Sequence, residues 1–131
     1  MRFRIIEVFL LNYLLNKTEV GANVFCERPE NVPDEYILIE KTGTSTENMI
    51  TTSTIAVQSI SNSLNGGSMF KAMSLNEDVK KALLGDNTSN GIIEKDNIVD
   101  IELQSDYNFT DTESKEYRYQ AVFNVTHYQE A

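Results

Sequence analysis

The chain has 131 residues and a mass of 14.9 kDa, the length of one domain spanning 1–131. Lys and Arg total 11 against 20 Asp and Glu, and the net charge of −9 argues against a protein that grips phosphate backbones, which relies on clustered cations. With 6 Gly and 2 Pro it is neither collagen-like nor a linker, and a single cysteine, Cys26, with a single histidine, His127, excludes an internal disulfide and a cysteine-based zinc cage.

Residues 3–15 are apolar over most of a helical circumference. Ile5, Val8, Phe9 and Asn12, with Tyr13 or Leu15, fall at helical spacing, so a helix buried over a wide face is expected, ended by Gly21. Arg2 and Arg4 ahead of the apolar run give it a secretory look. Glu7 and Asn12 interrupt the run, no small-x-small cleavage site follows Leu15, and the run is too short to span a bilayer. Four Asn-x-Ser/Thr triplets, at Asn16, Asn87, Asn108 and Asn124, are discounted because a chain this rich in Asn, Ser and Thr generates such matches by composition.

A short strand is expected at residues 23–27, then a turn-rich connection holding both prolines, Pro29 and Pro33. Residues 35–41 contain four consecutive apolar residues and suggest a strand covered on both faces. The polar stretch 42–48 reads as a hairpin loop, and the β-branched run 50–60 as the returning strand. After a breaker cluster at 61–67 the period becomes helical. Ser68 is the expected N-cap; Met69, Ala72, Met73, Leu75, Val79, Ala82 and Leu83 form the core side, and Gly85 the stop. Residues 86–91 read as loop, 98–103 as a strand, 107–115 as a polar hairpin tip. Residues 117–128 form the longest strand signal, with Tyr117, Tyr119, Ala121, Phe123 and Val125 on its core face. The order α-β-β-β-α-β-β predicts an α+β fold: a mostly antiparallel β-sheet with two α-helices packed on one face.

No catalytic or metal constellation emerges. Residues 106–111 open like a calcium loop, but Asp111 stands where that loop needs glycine and Tyr117 where it needs a bidentate Glu. Glu40-Lys41-Thr42-Gly43 has the letters of a phosphate loop without its spacing. His127 has no acid or Cys beside it in sequence and is expected to be a partly exposed sheet residue, Cys26 a small buried one, and Glu113 and Glu116 solvated charges. No nucleophile–base pair can be named, so no enzyme and no cofactor are expected. Among the tyrosines, Tyr107 at the hairpin tip is the best interface candidate.

Several stretches, taken in order, carry a family resemblance. They are Leu11-Asn12-Tyr13-Leu14, Val32-Pro33-Asp34-Glu35-Tyr36-Ile37-Leu38-Ile39-Glu40-Lys41-Thr42-Gly43, Ile55-Ala56-Val57-Gln58-Ser59, and Leu75-Asn76-Glu77-Asp78-Val79. Glu102-Leu103-Gln104-Ser105-Asp106-Tyr107-Asn108-Phe109-Thr110-Asp111 and Tyr117-Arg118-Tyr119-Gln120-Ala121-Val122-Phe123 complete the set. Together they resemble the tail-terminator proteins (tail completion, head–tail joining) of long-tailed phages that infect Gram-positive bacteria, departing from them by an extra loop at 63–67.

The resemblance implies a virion protein at the neck end of the tail, assembled in the host cytoplasm. It implies a homo-oligomer, a hexameric ring, that caps the tail tube protein, stops polymerisation and docks to the head-completion or connector protein, without a membrane. Six copies carry about −54 charges, so DNA is expected to pass through the lumen without specific binding. Interface candidates are Thr42, Gly43, Thr44 and Glu47 in one polar stretch, and Asp106, Tyr107, Asn108, Asp111 and Arg118 in the other, because a closed ring needs two different complementary patches per subunit. The competing readings are another neck or tail component (a head-completion stopper or the tube protein) and a secreted binding module.

Overall fold

A computed structural model describes residues 5–17, 20–62, 66–86, 90–95, 97–110, 113 and 115–128. The elements follow in the order α1 (Ile6–Leu15), β1 (Asn23–Phe25), β2 (Glu35–Glu47), β3 (Ile50–Asn62), α2 (Met69–Leu84), a 3₁₀ turn (Gly91–Glu94), β4 (Ile98–Asn108) and β5 (Glu116–Tyr128). The five strands form one sheet in the order β1-β2-β3-β5-β4. The short β1 runs parallel to β2, and every other neighbouring pair is antiparallel. This is the α+β class and element order that the sequence predicts.

One face of the sheet makes the core. Ile37 and Ile39 of β2, Ile55 and Val57 of β3, and Ala121, Phe123 and Val125 of β5 alternate inward. They meet Phe9, Leu10, Tyr13 and Leu14 of α1 and Leu75, Val79 and Leu83 of α2. Helix α1 buries Ile6, Phe9, Leu10, Tyr13 and Leu14, whereas Ile5, Val8, Asn12 and Leu15 are exposed. The expected stripe is therefore displaced by one position. Both stripes are apolar, and the exposed one contains Asn12, whose amide would need a partner inside the core. The Tyr13 hydroxyl donates to the Ala82 carbonyl at 2.8 Å and ties α1 to α2.

Helix α2 begins as its sequence indicates. The Ser68 side chain accepts a hydrogen bond from the Lys71 N–H at 3.2 Å. It ends at Gly85, whose positive φ of 89° suits glycine and whose N–H donates to the Lys81 carbonyl. Met73 is 44% exposed and not in the core; the inward positions are Ala72, Leu75, Asn76, Val79 and Leu83. At Gly67, just before this helix, a side chain would run into the Asn62 carbonyl, which accepts from the Gly67 N–H at 2.9 Å. Part of the expected extra loop, residues 63–65, lies outside the described residues.

Two strand boundaries differ from expectation. The stretch 42–48 is not a hairpin loop: β2 continues to Glu47, and the turn is only Asn48-Met49, with φ of 52° and 69°. Positive φ at both central residues is the type I′ geometry that matches strand twist. β-branched Thr42, Thr44 and Thr46 facing β3 sustain the strand beyond its buried part. Likewise β4 runs to Asn108 rather than ending near Leu103, with register irregularities around Val99 and Gln104. Tyr117 and Tyr119 are half-buried rather than fully in the core.

Candidate functional site

The sheet register sorts the interface candidates into two groups. Thr42, Gly43, Thr44 and Glu47 lie on β2 opposite residues 50–54 of β3, which in turn pair with 124–128 of β5. Asp106, Tyr107 and Asn108 lie on β4 opposite residues 119–121 of β5, with Arg118 one residue beyond on β5. The groups occupy opposite edges and opposite ends of the sheet. Asp111 lies outside the described residues.

The first group belongs to an arm. Residues 40–50 are all exposed, because the core ends at Ile39 and Ile55. Hydroxyl pairs take the place of apolar packing between the strands: Thr44 with Ser53 at 3.2 Å, Thr46 with Thr51 at 3.0 Å, and Thr52 with Thr126 at 3.3 Å. The Thr54 hydroxyl donates to the Asn124 side-chain carbonyl at 3.0 Å. Gly43 sits where the β2–β3 register shifts, and a Cβ there would meet nothing within 4 Å.

The second group is an aromatic platform. The rings of Tyr107 and Phe109 meet edge-on at a centroid distance of 6.2 Å, and the Arg118 guanidinium lies 4.9 Å from the Phe109 centroid. The Gln120 amide donates to the Tyr107 hydroxyl. The Arg118 N–H donates to Thr110 Oγ1 at 2.9 Å, and its carbonyl accepts from the Phe109 N–H at 2.8 Å. Tyr107 is 43% exposed in this setting. Asp106 faces the helices instead: its carboxylate accepts from Asn76 Nδ2 at 2.8 Å and pairs with Lys80, which also meets Glu77 at 2.9 Å. Burial works against the Lys80 charge, but these acids outweigh it and hold its pKa above the usual value. Asn108 reaches Met69 Sδ at 3.8 Å.

Sequence reasoning missed a buried polar cluster. Glu116, expected to be a solvated charge, is 4% exposed. It accepts from the Tyr36 hydroxyl at 2.7 Å and from Arg28 at 3.0 Å. Burial alone would raise the Glu116 pKa, but the Arg28 and Tyr36 hydrogen bonds outweigh it and hold it below the usual range. Tyr36 is pushed far upward, first by burial and then by its bond to the carboxylate. The cluster fastens the 26–34 connection onto the sheet face away from the helices. The signals were faint: Arg28 and Glu116 stand 88 residues apart.

Two further residues depart from or refine expectation. Cys26 is exposed, not buried, because it follows the end of β1; its thiol donates to the Glu7 carbonyl at 3.7 Å. Partial burial and then the Glu7 charge raise its pKa, which disfavours the nucleophilic thiolate. His127 is half-buried, and its Nε2 lies 2.9 Å from Ser53 Oγ, a pairing across β3 and β5 that periodicity does not reveal. Ser53 is 1% exposed, which shuts its hydroxyl away from a substrate, and the other ring nitrogen faces the Tyr128 carbonyl. Burial lowers the His127 pKa; the Tyr128 carbonyl opposes it, Lys41 adds to it and the Glu7 charge works against it.

Among the described residues, no group of three or more His, Cys, Asp or Glu is placed to hold a metal ion, and no helix is long and apolar enough to cross a membrane. No protein-family model matches the chain, and no curated protein matches it. Among solved structures, it is similar to a chain from the virion of the native gene transfer agent (GTA) particle. The TM-score is 0.63 at 12% identity, covering 91% of this chain and 91% of that one, a likeness of fold.

Proposed function

We propose that this chain is a structural virion protein of a phage-like particle, and within it the tail terminator: a ring that caps the tail tube, stops its polymerisation and joins the tail to the head connector. The observation that carries the reading is the end-to-end likeness to a chain of a phage-like virion, 91% of both chains. The ordered motifs through both helices and four of the strands support the finer role.

The geometry suits that work. Rings close through heterologous contacts, which need two unlike patches on each subunit. The hydroxyl-lined arm and the aromatic platform are unlike, and they lie at opposite edges. In this reading the subunit transforms no molecule, and the acidic balance lets DNA pass without adhering.

Electron microscopy of particles assembled without this chain tests the role. Overlong tails, or tails of normal appearance detached from heads, are expected. Complete absence of tails would assign the chain to the tube instead, and full tail-less heads leaking DNA would assign it to the head-completion stopper.

A further inference from the structure

The outer edge of β2 is open over most of its length. Strand β1 pairs only with Tyr36, Ile37 and Leu38, and among the described residues no strand pairs with the outer side of residues 40–47. At the other side of the sheet, no strand among the described residues pairs with the outer side of β4. An open edge is a row of unmet backbone donors and acceptors, and proteins that stay monomeric protect such rows with charge, proline or bulges.

The two edges are protected very differently. β4 carries Asp100, Glu102 and Asp106 and two register irregularities. β2 has one irregularity, at Gly43, and is regular from Thr44 to Glu47. From Thr42 to Phe70, Glu47 is the only charged residue, in a chain where charged residues make up 24%. The proposed edge, residues 40–47, adds Glu40 and Lys41, whose opposite charges cancel, so it carries a net charge of only −1 on a protein of −9. Another copy can approach it with less repulsion than opposes contact elsewhere.

We infer that the open edge of β2, residues 40–47, is completed by strand β4 of a second copy of this chain, so that the sheet continues from subunit to subunit. This rests on the ring reading above and specifies its contact. The direction of the strands fits. β2 is antiparallel to β3, β3 to β5, and β5 to β4, so β2 and β4 point in opposite directions. Rotation about an axis along the strands preserves direction, and it brings the neighbour's β4 antiparallel beside β2. Pairing β4 with β4 would set acidic rows against each other, and pairing β2 with β2 is isologous and stops at two copies.

The hairpin turn identifies which amides make the contact. Glu47 and Ile50 flank the two-residue turn and exchange both hydrogen bonds, so Glu47 and Ser45 bond inward and Thr44 and Thr46 direct their N–H groups outward. Proline at Thr44 or Thr46 therefore spares the backbone hydrogen bonds of the β2–β3 ladder, although each removes one hydroxyl pair (Thr44 with Ser53, Thr46 with Thr51), and it closes the outer edge.

Hydrogen exchange on the full chain, as monomer and as the oligomer formed alone or on tail tubes, provides the first test. Residues 44–47 and 98–108 should slow together on assembly, by at least about tenfold. Slowing of either segment without the other overturns the proposal. The second test compares Thr44→Pro and Thr46→Pro with wild type by light scattering across concentration. Each should raise the dissociation constant at least about tenfold while the monomer keeps its circular dichroism. Rings that form at wild-type concentrations in both variants, with the exchange of 98–108 unchanged, overturn the edge contact and leave the ring reading standing. A wild-type chain that stays monomeric both alone and on tubes contradicts the ring reading and the edge contact together.

Discussion

One hairpin, β2–β3, behaves as two different materials along its length. In the half containing Tyr36 to Ile39 and Ile55 to Ile60, both faces are covered: one by the helices, the other by the 26–34 connection and the Arg28–Tyr36–Glu116 cluster. In the arm, residues 40–50 are all exposed, and Ser and Thr hydroxyls link the strands in place of apolar contacts. The same backbone ladder runs through both halves. Strand formation thus survives the loss of a core wherever β-branched residues, short hydroxyl pairs and a compatible turn replace it. What the arm loses is stability of its own, and what it retains is an open surface.

Substitutions that act on only one half sharpen this contrast. The largest effect belongs to the buried half. Phe123, fully buried opposite Ile55, should cost about 3–5 kcal/mol when changed to Ala, read from denaturant midpoints.

Next comes Glu116→Gln, which removes the charge from a buried cluster and should cost about 1–3 kcal/mol near neutrality. Its sign with pH is fixed. The folded pKa of Glu116 lies below its unfolded value, so the charge contributes stability above the unfolded value, about 4.3, and that contribution disappears as pH falls through the folded value. The gap between wild type and Glu116→Gln should therefore close in acid. A gap that persists unchanged at pH 3 would mean that shape, not charge, carries the cluster.

Tyr107→Ala should change monomer stability by less than about 1 kcal/mol, because Tyr107 is partly exposed, yet weaken ring assembly. Normal rings from this variant and from Arg118→Ala would remove the platform from the contact surface. The smallest effect is expected at the arm's tip. Met49 holds a left-handed conformation that glycine adopts freely, while its side chain is 61% exposed. Met49→Gly should stabilise the monomer by about 0.5–1 kcal/mol. If it also weakens binding to tail tubes, the strained methionine is retained for contact and not for folding.

Much of the fold was legible because strand and helix periods were distinct. The Ser68 cap, the Gly85 stop and the inward alternation of Ala121, Phe123 and Val125 all appear where periodicity and end signals predict. The stretch 42–48 is strand and not the expected loop because polarity does not imply irregularity: a strand with no core on either face is polar too, and the positive φ at Asn48 and Met49 marks the real turn. In α1 two apolar stripes competed, and the single amide of Asn12 decided which faced out. Asp106 and Tyr107 lie next to each other in sequence, but one is held by α2 and the other joins the aromatic platform. The Glu116 cluster, joining residues far apart in sequence, depends on pairing that no local pattern encodes.

The most direct test of the account is the mass of the full chain measured in solution, free and in the presence of isolated tail tubes, with the tube ends imaged. The account predicts a six-copy ring on one end of each tube and tubes that grow no further once it is seated. A chain that stays single and leaves tube ends bare and still growing would contradict it.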